Sequence, residues 1–152
     1  MIWFISDTHF YHTNMVIYEA RPPWIDRHMI YLWNKHIASG DIVWHLGDFA
    51  MSRHDRIPEL VAQLNGEIHL IMGNHDFRRK RWYKRCGVYT YKGTVNLEGF
   101  LLSHRPQETD LLNLHGHVHG AWKRRGNHIN LSVEVRGYRP WNLEELRMEN
   151  SI

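Results

Sequence analysis

The chain alternates between short apolar runs and stretches whose apolar residues recur at helical spacing. Trp3 to Ser6 reads as a buried strand, apolar and β-prone up to its polar end. Beyond a loop holding Pro22 and Pro23, residues Ile25, Met29, Trp33 and Ile37 fall four apart, with Leu32 and His36 beside them. That spacing predicts a helix over 25–38, stopped by Gly40. Asp41 to Leu46 reads as the next strand. Ile57, Leu60, Val61 and Leu64 predict a second helix over 56–64, with Pro58 in its first turn and Asn65-Gly66 at its end. Glu67 to Met72 is the third strand. The order β-α-β-α-β calls for parallel strands and right-handed crossovers.

Past Met72 the pattern changes. Residues 77–85 form a basic segment predicted to be helical. Two or three short strands follow from Val88 to Leu102, broken at Lys92-Gly93 and Glu98-Gly99. Further strands are expected at 112–115 and 128–135. Asn142 opens a last short helix, with Glu145 three residues on as in a capping box. A parallel first half and a β-rich second half predict an α/β fold of two sheets packed face to face with helices outside. The 152 residues suit one domain, 1–152, without a cap domain. No internal repeat or linker interrupts them.

Composition narrows the classes. A hydrophobic share of 43% and a charged share of 23% describe a soluble globular protein. The net charge of +3 makes the surface mildly basic and favours phosphate-bearing partners. Cys86 is the single cysteine, which excludes an intrachain disulfide and a thiolate zinc knuckle. With no basic leader and no apolar run of roughly 18–20 residues, a cytoplasmic protein without a membrane span is expected. The 13 histidines are the departure from ordinary usage.

Five of them fall in a set of five short clusters bearing histidine or carboxylate, each directly after an apolar run: Asp7-Thr8-His9, Gly47-Asp48, Gly73-Asn74-His75-Asp76, Ser103-His104 and Gly116-His117-Val118-His119. If the runs are strands, the clusters occupy strand-ending loops, where open α/β sheets place ligands. Carboxylate, amide and imidazole are oxygen and nitrogen donors suited to first-row divalent metals. Asp7 and His9 are two apart, and so are His117 and His119. On extended backbone such a pair points the same way and reaches one ion. Gly116 and Gly120 would let the chain turn sharply around the second pair. Asp48 is the natural carboxylate to be shared by two ions, Asn74 offers a carbonyl oxygen, and His104 a further imidazole. Two cations roughly 3.5–4 Å apart polarise a phosphoryl oxygen and make a bridging water nucleophilic at neutral pH.

These blocks, in this order, resemble the calcineurin-like metallophosphoesterase superfamily, whose pattern D-x-H, G-D, G-N-H-D/E, H, G-H-x-H runs here from residue 7 to 119. The resemblance implies a four-layer αββα sandwich of two mixed sheets and a dinuclear centre. Manganese is the first expectation for its ions, with iron, zinc or nickel as the others. It implies that Asp7, His9, Asp48 and His119 hold one ion, and that Asp48, Asn74, His104 and His117 hold the other. It implies that His75 protonates the leaving oxygen or stabilises the transition state, with Asp76 orienting its ring. Two departures narrow the branch. Gly47-Asp48 continues as Phe49-Ala50-Met51, without the further aspartate and arginine of protein Ser/Thr phosphatases, and Asp76 stands where those enzymes have glutamate. The opening Ser6-Asp7-Thr8-His9-Phe10-Tyr11-His12-Thr13-Asn14 resembles compact bacterial and phage phosphoesterases.

The expected function is hydrolysis of a phosphodiester in a nucleotide or cyclic nucleotide. A phosphomonoesterase, a nuclease or RNA-end processing enzyme, and a non-catalytic scaffold of the same fold are the alternatives. The oligomeric state is left open. His12, Arg21 and Arg105, close in sequence to the clusters, are candidates to hold phosphate oxygens; the competing reading is a surface hydrogen bond or a helix-cap contact. His45 reads as a buried, hydrogen-bonded histidine, His115 as either a support behind the ligands or packing, and His54 as solvated. The segment Arg78 to Arg85 has six basic residues and two aromatics in eight positions. It fits either a polyanionic strand with bases on Trp82 or Tyr83, or, as the favoured reading, a solvated helix whose aromatics join the core. Lys123-Arg124-Arg125 reads as a hairpin tip and Trp141 as a packing anchor.

Overall fold

The computed structural model of the chain describes residues 1–51 and 55–152. His54 lies outside the described residues. The first sheet contains β1 (Ile2–Ile5), β2 (Ile42–His45), β3 (Glu67–Ile71), β4 (Val88–Tyr91) and β10 (Trp141–Asn142), in the order β10-β1-β2-β3-β4. β1 to β4 are parallel, and β10 is antiparallel to β1. The crossovers carry α2 (Ile25–His36), α3 (Ile57–Gln63) and α4 (Lys80–Arg85), and the short α1 (Met15–Tyr18) precedes α2.

Register assigns the faces. Trp3, Val43, Ile68 and Val88 are aligned across the four parallel strands. All four are buried in one cluster with Met29 and Trp33 of α2, Leu60 of α3 and Tyr83 of α4. One residue along the strands, Phe4 and Trp44 point the other way, into a second cluster. Period-two alternation thus gives each strand a helix-facing and a sheet-facing side.

The second sheet has the order β5-β6-β7-β9-β8, from β5 (Val95–Leu97), β6 (Phe100–Leu102), β7 (Leu112–His115), β8 (Arg124–Arg125) and β9 (His128–Asn130). β6, β7 and β9 are parallel, and the edge strands are antiparallel to them. Leu102, Leu114 and Ile129 meet Phe4, Leu46 and Ile71 between the sheets. α5 (Leu143–Asn150) adds Leu146 to that cluster. The architecture is the sandwich of two mixed sheets flanked by helices, with α2, α3 and α4 together on the outer face of the first sheet.

Local outcomes differ from the sequence reading in several places, among them α1 and β10, which were not expected. The helix expected over 77–85 begins only at Lys80, since Arg79 is extended. The strand expected over 128–135 stops at Asn130. There the chain crosses to the first sheet, where Ser132 bridges Ser6 and the Val133 N–H donates to the Ser6 carbonyl at 3.1 Å. The basic Arg124-Arg125 pair lies in β8, and the hairpin turns after it. The capping box of α5 forms as expected: Glu145 N–H donates to Asn142 Oδ1 and Asn142 N–H to Glu145 Oε2, each at 2.9 Å.

Candidate metal centre

The five clusters follow the carboxyl ends of β1, β2, β3, β6 and β7. Backbone hydrogen bonds zip the first two loops together, from the Asp7 N–H to the Gly47 carbonyl and from the His9 N–H to the Asp48 carbonyl. Two donor sets result. Ligand atoms of Asp7, His9 and His119 lie within 4.8 Å of one another, and so do those of Asp48, His104 and His117. Asp48 Oδ2 stands between the sets, 3.4 Å from His9 Nε2 and 3.4 Å from His104 Nε2. Asn74 Oδ1 is 3.0 Å from His104 Nε2.

The convergence does not come from extended backbone. Asp7, His9, Asp48, His117 and His119 all have φ between 46° and 69°. Non-glycine residues seldom adopt this left-handed conformation, and it concentrates where a site demands it. The expectation of alternate side chains on a strand is therefore corrected. His117 and His119 reach separate sets. Gly116 is needed for close approach rather than for a turn, because a Cβ there would lie 2.0 Å from Ser6 Oγ and 2.1 Å from Asp7 Oδ2. Gly120 meets no such constraint, its nearest neighbour being Glu134 Cβ at 3.8 Å. Gly47 does both jobs: its φ is 108°, and a Cβ would stand 2.3 Å from His104 Nδ1.

Whether cations fit these sets is decided by the atoms left over. Asp7 is fully buried. Its Oδ2 accepts from Ser6 Oγ (2.6 Å), the His117 N–H (2.8 Å) and Ser132 Oγ (3.2 Å). Its Oδ1 and the neighbouring His9 Nε2 are buried without a hydrogen-bond partner. A buried polar atom left unpaired is costly, and a divalent ion would satisfy both. Electrostatics agree. Burial works against ionising Asp7, yet His9, His104 and His119 bring its pKa down to about 2. Burial likewise disfavours charge on His9, yet Asp48 and Asp7 raise its pKa to about 9. The carboxylates demand positive charge.

The second nitrogen of three of the four candidate ligand histidines is anchored. His104 Nδ1 is 2.8 Å from the Leu46 carbonyl, His9 Nδ1 is 3.2 Å from His12 Nδ1, and His119 Nδ1 is 3.1 Å from Glu134 Oε1. Such partners fix the tautomer and turn the free nitrogen toward an ion. Glu134 escaped the sequence reading. A carboxylate between Val133 and Val135, in a segment read as a strand, was the signal that could have found it.

Of the other candidates, His12 is at the site, half-buried, its ring centroid 5.9 Å from that of His75. His75 has its ring centroid 5.3 Å from that of His9, and its N–H donates to Asp48 Oδ1 at 2.9 Å. Arg105 is exposed beside His104, in a cleft of about 380 Å³ that Asn74 also lines. Arg21 is 2% exposed, and its guanidinium donates to the Thr8 carbonyl (2.5 Å), the Asp7 carbonyl (2.6 Å) and Glu134. It braces the Asp7 loop, and it also lines a pocket with His9 and His12. The orienting role of Asp76 is corrected. Its oxygens accept from the backbone N–H groups of Asp48 (2.7 Å), Phe49 (3.0 Å) and Gly73 (2.8 Å), so it ties two loops together. Burial raises its pKa to about 6 despite those donors.

His45 is buried, with Nε2 2.9 Å from Thr8 Oγ1, as expected. His115 is buried with Nδ1 2.8 Å from the Gly116 carbonyl, behind the His117 loop. Tyr83 is core and Trp82 packs against it, so neither offers a free stacking face. Trp141 sits in the intersheet cluster under the cations of Lys123, Arg136 and Arg139.

The family model for calcineurin-like phosphoesterases matches residues 1–149. The chain belongs to this family. Uncharacterized protein MJ1445 of Methanocaldococcus jannaschii is 36% identical over 163 aligned positions, covering 94% of this chain and 87% of that protein. Among solved structures, the protein of unknown function AQ665 from Aquifex aeolicus superposes with a TM-score of 0.77 at 28% identity, over 100% of this chain and 99% of that one. The nuclease MPE of Pseudomonas putida gives 0.56 at 24% identity, over 78% of this chain and 61% of that one, and thus shares the fold. As a calcineurin-like phosphoesterase, the chain is a phosphoester hydrolase of a family that uses divalent metals. Among the described residues no helix is long and apolar enough to cross a membrane.

Proposed function

We propose that the protein is a dinuclear-metal phosphodiesterase acting on nucleotide or cyclic-nucleotide diesters, with manganese as the first metal to test. The observation that carries this reading is Asp48 Oδ2, equidistant at 3.4 Å from one imidazole of each donor set. Asp7, His9, Asp48 and His119 would hold one ion, and Asp48, Asn74, His104 and His117 the other. Two divalent ions there supply the charge that polarises a phosphoryl oxygen and the acidity that activates water.

The chain's own groups do the rest. His75, half-buried at the rim, gives its ring proton to the departing alcohol oxygen as the P–O bond breaks. Burial and the neighbouring His9 lower the pKa of His12, so it meets a phosphate oxygen as a neutral N–H donor. Arg105 offers a charged donor from the opposite side. The diester preference draws on space on both flanks. The cleft by His104 and Arg105 opens on one side, and a pocket of about 140 Å³ lined by His9, His12, Val16 and Pro22 opens on the other. A diester has two limbs to place. A terminal dianionic phosphate wants more donors than His12 and Arg105 supply.

Hydrolysis of bis(p-nitrophenyl) phosphate and of p-nitrophenyl phosphate, in manganese and with Asp48→Ala as blank, tests the proposal. Turnover of the diester above the monoester is expected, lost together with bound metal in the variant. A metal-loaded wild type that cleaves only the monoester would overturn the preference, and a metal-free active protein the whole reading.

A further inference from the structure

The cleft that holds Asn74, His104 and Arg105 does not end there. It shares Met72 and Thr94 with a second cleft of about 330 Å³, which shares Met72, Lys80 and Lys92 with a third of about 390 Å³. The three clefts adjoin through these residues, in a row from the donor sets to the start of α4. Five cationic side chains line them: Arg78, Arg79, Lys80, Lys92 and Arg105. Their one lining carboxylate among the described residues is Asp76, whose oxygens face three backbone N–H groups. Arg78 is paired with Asp55 and lies over Phe77 and Trp82. On the wall of the third cleft, directly after the His75-Asp76 pair, Phe77 is 70% exposed.

A row of cations with an exposed aromatic ring is the equipment for a single strand: the charges track the phosphates and the ring stacks a base without reading its identity. We propose that this row of clefts binds single-stranded nucleic acid and leads it to the metal centre, making an oligonucleotide the substrate class. The inference rests on the phosphodiesterase reading above. Phe77 separates nucleic acid from inorganic polyphosphate, which has no base to stack.

The test uses manganese-loaded protein and a fluorescent, phosphorothioate-backboned single strand that resists cleavage, with anisotropy followed against salt. Wild type should bind with steep salt dependence. Arg79→Ala/Lys80→Ala/Lys92→Ala should weaken binding at least about tenfold and flatten the log–log salt slope by about 2, roughly 0.7 for each lost phosphate contact. Phe77→Ala should weaken it about fivefold or more at unchanged slope. A charge-matched control, Arg27→Ala/Lys35→Ala/Arg147→Ala on α2 and α5, should weaken it far less. Equal weakening by the control would reduce the effect to net charge and overturn the inference. Equally tight polyphosphate binding without a Phe77 effect would overturn the nucleic-acid assignment. If wild type cleaves bis(p-nitrophenyl) phosphate but binds no strand, this inference alone falls. If it binds strands and turns over no diester, the phosphodiesterase reading falls, and with it the strand's role as substrate.

Discussion

At the scale of single residues, the site is an exercise in fixing histidine tautomers. His9 Nε2 can meet a cation only if Nδ1 carries the proton, and the 3.2 Å contact then makes His12 Nδ1 the acceptor. His12 Nε2 consequently holds a proton it can present to a phosphate oxygen. The same logic runs through Glu134, which accepts from Arg21 and lies 3.1 Å from His119 Nδ1. Glutamine in its place keeps the shape but removes the charge that both partners require. Glu134→Gln should therefore lower metal affinity by roughly 10- to 100-fold, the usual worth of a support behind a ligand histidine, as read by calorimetric manganese titration. An unchanged affinity would assign Glu134 to packing alone. His75→Ala is expected to behave oppositely. Metal content stays intact while kcat falls by roughly 10² to 10⁴, the range for a general acid, with the loss shrinking as the leaving alcohol becomes more acidic. A variant as active as wild type on poor leaving groups would remove His75 from the mechanism.

At the scale of elements, legibility followed periodicity. α2 and α3 are readable because one face of each meets a core and burial imposes its period on the sequence, and the three strands between Ile2 and Ile71 because both faces are buried, which leaves a nearly unbroken apolar run. α1, four residues with Ile17 and Tyr18 exposed, leaves no such imprint. The ligand types were readable as chemistry, but the left-handed backbone that aims them was not. Asp and His adopt φ near 50° more readily than most non-glycine residues, but most of them do not, and here the conformation is imposed by contacts between loops far apart in sequence. The bracing role of Arg21 is hidden for a related reason: its partner Glu134 lies 113 residues away. Two variants separate loop geometry from element stability. Gly116→Ala puts a methyl carbon where Ser6 Oγ and Asp7 Oδ2 already stand, so metal binding should be lost along with stability. Asn142→Ala only unmakes the α5 cap. It should cost about 1 kcal/mol, visible as a small drop in Tm, with metal content untouched. Loss of metal in the Asn142 variant would show that α5 supports the site directly.

At the scale of the whole molecule, the donor sets span the sandwich. Asp7, His9, Asp48 and Asn74 follow strands of the first sheet, whereas His104, His117 and His119 follow β6 and β7 of the second. Between the sheets lies an apolar core, and near the site their direct backbone link is the crossing at Ser6 and Ser132. A cation held by both sides is therefore a tie across the intersheet boundary, and it binds a geometry that the unfolded chain lacks. Ligand linkage then stabilises the native state by about 2.7 kcal/mol at a free concentration one hundred times Kd for a single site. For a domain of this size, that converts to a Tm increase of about 5–11 °C. Manganese titrated into chelator-stripped protein should raise Tm progressively and EDTA should reverse the rise, while Asp48→Ala, having lost the carboxylate that stands between the two sets, should show little of it. The direction is distinctive, because the unpaired Asp7 Oδ1 and His9 Nε2 make the stripped site a liability to the fold. A Tm that stays flat as manganese rises, in protein that binds the ion, would mean that the unfolded chain binds it equally well and that the folded donor sets add nothing.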